Sequence, residues 1–221
     1  LMLLALATKL GGAWLWLLWP ALSLALVALN YAAFGAQGFQ KQANGQLSWA
    51  VSWLYGPYLL GAWLNSRAWT RKHPQADELI DGVYLGRIPS QQQQAGFSAI
   101  VDLCAELPIS VKTPGYRALP VLDLTAPDAS TCLQAAKAIE SLRKTYPDKV
   151  LVCCALGYSR SATALAAWLL YSKRCSSTDA ALALIRQARP QVVLQQPQLL
   201  AIEMMLQLPE TAGNRGLDNA Y

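Results

Sequence analysis

No acidic residue precedes Asp77, whereas Lys9, Lys41, Arg67, Arg71 and Lys72 all lie before it. Two long uncharged runs occupy this acid-free third. Residues 13–35 read AWLWLLWPALSLALVALNYAAFG, a stretch of 23 without a charge. That is long enough to cross a bilayer core of about 30 Å. Pro20 would break a soluble helix but is tolerated in a membrane helix near an end or a kink. Residues 47–64 form a second uncharged run of about the minimum spanning length. Trp14, Trp16 and Trp19 at one end, with Trp63 and Trp69 at the other, have the placement of interfacial belts. The reading is a transmembrane region over residues 1–66, with spans at about 13–35 and 47–64, followed by a basic linker at 67–78. A cleaved signal peptide fits poorly, because the first run is too long and a second follows it. A core hairpin of a soluble protein also fits less well, since two uncharged runs of this length seldom share one. The abrupt LMLLALA at 1–7 reads as the tail of a further helix, which would make the chain a piece of a longer protein.

Short-loop charge sets orientation. Arg67, Arg71 and Lys72 after the second run outnumber Lys41 between the runs, so a hairpin with both ends in the cytoplasm is expected. The formal net charge is +5, yet residues 77–221 carry thirteen basic and thirteen acidic side chains. The excess therefore belongs to the membrane region and is no nucleic-acid-binding face. The one histidine, His73, stands beside a proline in the basic linker. Histidine-based triads, histidine-ligated zinc and phosphohistidine chemistry are thereby excluded unless His73 itself serves. Cysteines 104, 132, 153, 154 and 175 are odd in number and two are adjacent, which agrees with a reducing compartment.

The remainder reads as an α/β domain over 79–207, with a tail at 208–221. DGVYLGRIP (81–89), SAIVDLC (98–104), YRALPVLDL (116–124) and KVLVCC (149–154) are strand candidates. Residues 130–146 carry Leu133, Ala136, Ile139 and Leu142 at helical spacing. Further helices are expected from Arg160, over 177–188 behind a Ser-Ser-Thr-Asp capping cluster, and over 195–207. This order predicts a three-layer domain of about 140 residues.

Its centre is Cys154-Ala155-Leu156-Gly157-Tyr158-Ser159-Arg160-Ser161, a cysteine closing a buried strand and an arginine opening a helix. Backbone N–H groups of such a loop, together with a helix N-terminus, make an anion site. The same field favours thiolate at Cys154. The planar fork of Arg160 can bind two phosphate oxygens, which lysine cannot do. Ala155, Leu156, Gly157, Tyr158, Ser159 and Arg160 are thus the expected phosphate-binding positions.

C-x5-R-S in this setting resembles the signature loop of the cysteine-dependent tyrosine and dual-specificity phosphatases. GVYLGRIPS, SAIVDL, LPVLDLTAPD and VLVCCALGYSRSAT follow in that family's order, and DAALALIRQARPQVVLQQPQLL resembles its closing helices. The resemblance covers roughly 79–207. It implies a dual-specificity-phosphatase-like central sheet flanked by helices, here behind a two-helix transmembrane hairpin. The whole is similar to the C-terminal half of bacterial proteins that fuse a PAP2-type membrane region to such a phosphatase, which implies the bacterial inner membrane. It further implies a cysteinyl-phosphate intermediate on Cys154, Arg160 as clamp, and Ser161 aiding departure of the thiolate, with no metal or cofactor. The general acid is an aspartate after the preceding strand, Asp123 or, as runner-up, Asp128, which also suits a helix cap. The family's histidine before the nucleophile is Cys153 here, which leaves the thiolate's tuning open. None of the variable loop positions is basic, which disfavours polyphosphorylated inositols. A phosphoprotein, on tyrosine or serine/threonine, is the favoured substrate, with a phospholipid monoester such as phosphatidylglycerophosphate as the alternative. A catalytically silent phospho-binding module and a rhodanese-like sulfur transferase are the alternatives from other classes.

Overall fold

The computed structural model describes residues 11–146 and 148–209, together with Met2, Ala5, Leu6 and Lys9. The expected terminal features, the run 1–7 and the tail 208–221, fall largely outside the described residues. From Gly12 to Phe39 the chain is helical for 28 residues, with a mean hydropathy of 1.8. A 3-10 segment leads into α1 (Leu18–Leu29), and a π turn (Asn30–Phe34) and a second 3-10 segment follow it. Pro20 is the third residue of α1, just behind the junction with the 3-10 segment.

Among the described residues this is the one helix long and apolar enough to cross a membrane. The second expected span, 47–64, divides instead into α2 (Trp49–Leu54) and α3 (Gly56–Thr70). Ser48 caps α2 by accepting the Val51 N–H. Tyr55 then leaves the helical region at φ −92°, ψ 4°, and Pro57 restarts the helix in its first turn. Hydropathy alone suggested a spanning helix because it ignores what the side chains touch. Val51 and Tyr55 are buried in one cluster with Val27, Phe39 and Leu47 of the N-terminal region and with Ala105 and Leu122 of the α/β part. The two-span hairpin is therefore corrected to one long apolar helix and a broken second segment packed on the rest of the chain.

Five strands make the sheet: β1 (Ala76–Ile80), β2 (Val83–Arg87), β3 (Ala99–Cys104), β4 (Gly115–Val121) and β5 (Val150–Cys154). Their spatial order is β1-β2-β5-β3-β4, with β1 antiparallel to β2 and the other pairs parallel. Alternation along β5 assigns the two faces. Val150 and Leu151 begin a buried run in which Val152 and Cys154 belong to one core, while Leu151 and Cys153 belong to the other. The first core is covered by α5 (Ala129–Thr145), α6 (Arg160–Tyr171), α7 (Thr178–Ala188) and α8 (Gln196–Leu206). Over the opposite face lie Leu107 and Ile109, with Ala62 of α3 packed against them. A four-residue helix, α4 (Gln91–Gln94), follows β2.

A buried ion pair joins the N-terminal region to the sheet. Lys41 Nζ lies 2.6 Å from Asp102 Oδ2, and neither side chain is exposed. The same ammonium donates to the carbonyls of Cys104 and Leu107, at 2.5 and 2.8 Å. Asp102 also accepts the Tyr116 hydroxyl and the Cys104 N–H. Burial disfavours the charged lysine, yet the Asp102 carboxylate outweighs it and holds the ammonium pKa above its ordinary value. Lys41, expected as a loop marker of membrane topology, is instead an internal cation.

Candidate active site

β5 ends at Cys154 and α6 begins at Arg160, so the five residues between them must turn the chain within one loop. Gly157 makes that turn possible. Its φ is +76°, and a Cβ there would stand 2.4 Å from the Gly86 carbonyl carbon on β2. Only glycine accepts both the backbone angle and the close approach. The turn aims the Gly157 N–H at the Cys154 sulfur, 3.3 Å away. Ser161, in the first turn of α6, places its hydroxyl 3.2 Å from the same sulfur. Burial pushes the Cys154 thiol pKa up, but the Arg160 charge and these two contacts outweigh it and hold it below the ordinary value.

Cys154, Arg160 and Asp123 share a cavity of about 320 Å³ with Leu156, Tyr158 and Ser159. Ala155 and Gly157, the other two expected phosphate-binding positions, do not line it. Ala155 faces a neighbouring cleft and its carbonyl accepts from Ser66 Oγ of α3 at 2.6 Å. Gly157 turns its N–H to the sulfur instead. Cys153 lies on the opposite face of β5, fully buried against Ile100 and Leu151, so its side chain is remote from the cavity. There, burial pushes its thiol pKa well up.

Arg160 is 2% exposed and is held along one edge. Its Nη1 donates to Glu106 Oε2 and to the Val121 carbonyl, each at 2.7 Å. Its Nη2 lies 3.1 Å from Asp123 Oδ1. Glu106 in turn accepts the Asp123 N–H at 2.6 Å through Oε1. Burial alone would raise the Glu106 pKa, but Arg160 and the Asp123 N–H outweigh it and hold the carboxyl below its usual range. Asp123 is half exposed, with 46% of its side chain accessible. Asp128 stands elsewhere: it is the N-cap of α5 and accepts the Thr131 N–H at 2.7 Å.

Two participants escaped the sequence reading. Glu106 follows β3 in the run Ala-Glu-Leu-Pro, and only the fold brings Arg160 to it. Arg189, between α7 and Pro190, is also buried, with its guanidinium over the Tyr158 ring. It donates to Asp77 at 2.5 Å and to the Leu156 carbonyl at 3.3 Å, bracing the loop from its outer side. A charged residue one or two positions before a proline, just past an element's end, was the available signal in both cases.

The family model described as "Dual specificity phosphatase, catalytic domain" matches residues 83–205. Among solved structures the chain is similar to Tk-PTP in its active form, at 30% identity and a TM-score of 0.55, over 61% of this chain and 97% of that one. Human DUSP28 is similar at 22% identity and a TM-score of 0.54, over 62% of this chain and 97% of that one. PTPMT1, solved in complex with PI(5)P, is similar at 17% identity and a TM-score of 0.52, over 64% of this chain and 99% of that one. Among curated proteins none matches the chain.

Proposed function

The chain belongs to the dual specificity phosphatase family, and from that premise we propose that it is a membrane-anchored phosphomonoester hydrolase working through a cysteinyl-phosphate. The observation that carries the reading is the Cys154 sulfur, held toward thiolate in one cavity with a buried arginine and an accessible carboxyl group. The Cys154 thiolate attacks phosphorus, and the bond from phosphorus to the substrate oxygen breaks. Asp123 gives that oxygen its proton, so the alcohol leaves neutral. Water then attacks phosphorus, Asp123 takes the proton back, and the thiolate departs towards the Ser161 hydroxyl. Arg160 carries the charge of the phosphoryl oxygens, oriented by Glu106. Asp123 is preferred over Asp128 because it lines the cavity while Asp128 is engaged as a helix cap.

Anchoring rests on Gly12–Phe39, whose most apolar window is only 11% buried inside the protein. Exposed Trp16, Trp49 and Trp69 suit the bilayer interface. Arg67, Arg71 and Lys72 on the catalytic side, against Lys9 on the other, favour a cytoplasmic catalytic domain in the bacterial inner membrane.

With an aryl phosphate, rapid acid quenching of the full chain should trap phosphate covalently on Cys154. Turnover without protein-bound phosphate would count against the mechanism. Asp123→Asn should slow hydrolysis of alkyl phosphates by about 10²–10⁴-fold and that of nitrophenyl phosphate far less. An equal loss on both would remove Asp123 from the role. Asp128→Ala is expected to lower stability by about 1 kcal/mol through the lost cap, measured by chemical denaturation.

A further inference from the structure

Beside the phosphate cavity lies a second cleft, of about 340 Å³. Asp123 and Leu156 line both, so the two spaces adjoin at these residues. Apolar residues make most of the second cleft's wall, beside Asn65, Ser66, Glu106 and Asp123. Pro20 and Leu24 come from the long apolar helix, and Pro57, Tyr58 and Gly61 come from α3. Gly61 stands open to it: a Cβ added there would meet nothing within 4 Å. The cleft is held in place against the catalytic loop by the Ser66 hydroxyl on the Ala155 carbonyl.

Chemistry gives this position a meaning. The acid must reach the oxygen that leaves, so the alcohol half of the substrate lies on the Asp123 side of phosphorus. That side opens into the second, largely apolar cleft. We propose that the cleft receives the hydrocarbon tail of the leaving alcohol, and that the substrate is a phosphomonoester lipid. The proposal rests on the phosphatase reading and on Asp123 as its acid. A lipid is the occupant that the walls suit, since one of them is the helix long and apolar enough to lie in a bilayer. A tail could pass from the hydrocarbon region to the cleft along that helix without crossing water.

The test uses the full chain in detergent, with Cys154→Ser as a binding-competent, non-turning form. Glycerol 3-phosphate and its 1-octanoyl ester are the probes, compared by competition for binding and, in the active chain, by kcat/KM. Nitrophenyl phosphate and a phosphotyrosine peptide are run beside them. The octanoyl ester is expected to bind at least about tenfold more tightly than glycerol 3-phosphate, since several methylenes leave water. Gly61→Phe should erase most of that preference by filling the cleft, and its tail dependence is read in the same detergent, which cancels partition into micelles. Equal tail dependence in Gly61→Phe and the parent chain would overturn the proposal. So would a phosphopeptide kcat/KM above that of the octanoyl ester. If nitrophenyl phosphate is not hydrolysed at all, the phosphatase reading fails, while the binding comparison in Cys154→Ser still decides the cleft.

Discussion

Cys154→Ser should lower hydrolysis of an aryl phosphate by about three orders of magnitude or more, while phosphate still binds. The sulfur is the one atom in the cavity that three separate features favour as an anion. Arg160 faces it, the Gly157 N–H points to it at 3.3 Å, and the Ser161 hydroxyl lies at 3.2 Å. A serine hydroxyl is too weak an acid to ionise under the same influences. Arg160 and its support by Glu106 are untouched by the change, so the anion site survives. Iodoacetamide inactivation reports the sulfur directly. In the parent chain its rate should rise with pH along a curve centred below the ordinary thiol value of about 8.5. Ser161→Ala removes one of the influences that lower the pKa, so the curve should move to higher pH. A curve centred at or above the ordinary value would contradict the site's electrostatics.

Lys41→Met should destabilise the protein by about 3–5 kcal/mol, the loss expected when one member of a buried ion pair is removed. Asp102 would lose its cationic partner in a place with no exposure, and the carbonyls of Cys104 and Leu107 would lose their donor. For a chain of this size the midpoint of thermal unfolding should fall by about 10 °C. Lys41→Met with Asp102→Asn should be less unstable than the sum of the two single changes, because neither partner is then left without the other. Turnover should fall as well. The two carbonyls that Lys41 holds flank Glu106, and Glu106 orients both Arg160 and the Asp123 N–H. Additive effects in the double variant would show that the pair is not coupled.

Why some of this was legible and some not is a matter of distance along the chain. Cys154, Arg160 and Ser161 occupy one loop, so their chemistry could be read as a contiguous pattern. The interior strand β5 is apolar throughout and β3 is apolar but for Asp102, so both declare themselves. By contrast β1, Ala-Asp-Glu-Leu-Ile, pairs only with β2 at the rim of the sheet, and its half-polar composition resembles a linker. Glu106 looks like an ordinary loop acid until Arg160, 54 positions away, is folded onto it. Lys41 carries no local sign of burial, because its partner Asp102 lies 61 positions on. The run 47–64 was misjudged for a related reason. Apolar composition states that a segment leaves water, not whether lipid or protein receives it. Val51 and Tyr55 meet Ala105 and Leu122, whereas Trp49 and Trp53 remain exposed.

Only residues 71–75 separate α3 from β1, and Ser66 and Lys41, both before that joint, bind the two parts together. A catalytic head on a long leash would sweep a volume around its anchor. This one has no leash. With its apolar helix in a bilayer, the reactive sulfur would ride at a single altitude and in a single attitude. Reaction partners would then be sorted first by how deep their phosphate sits, and encounter would become a search in two dimensions.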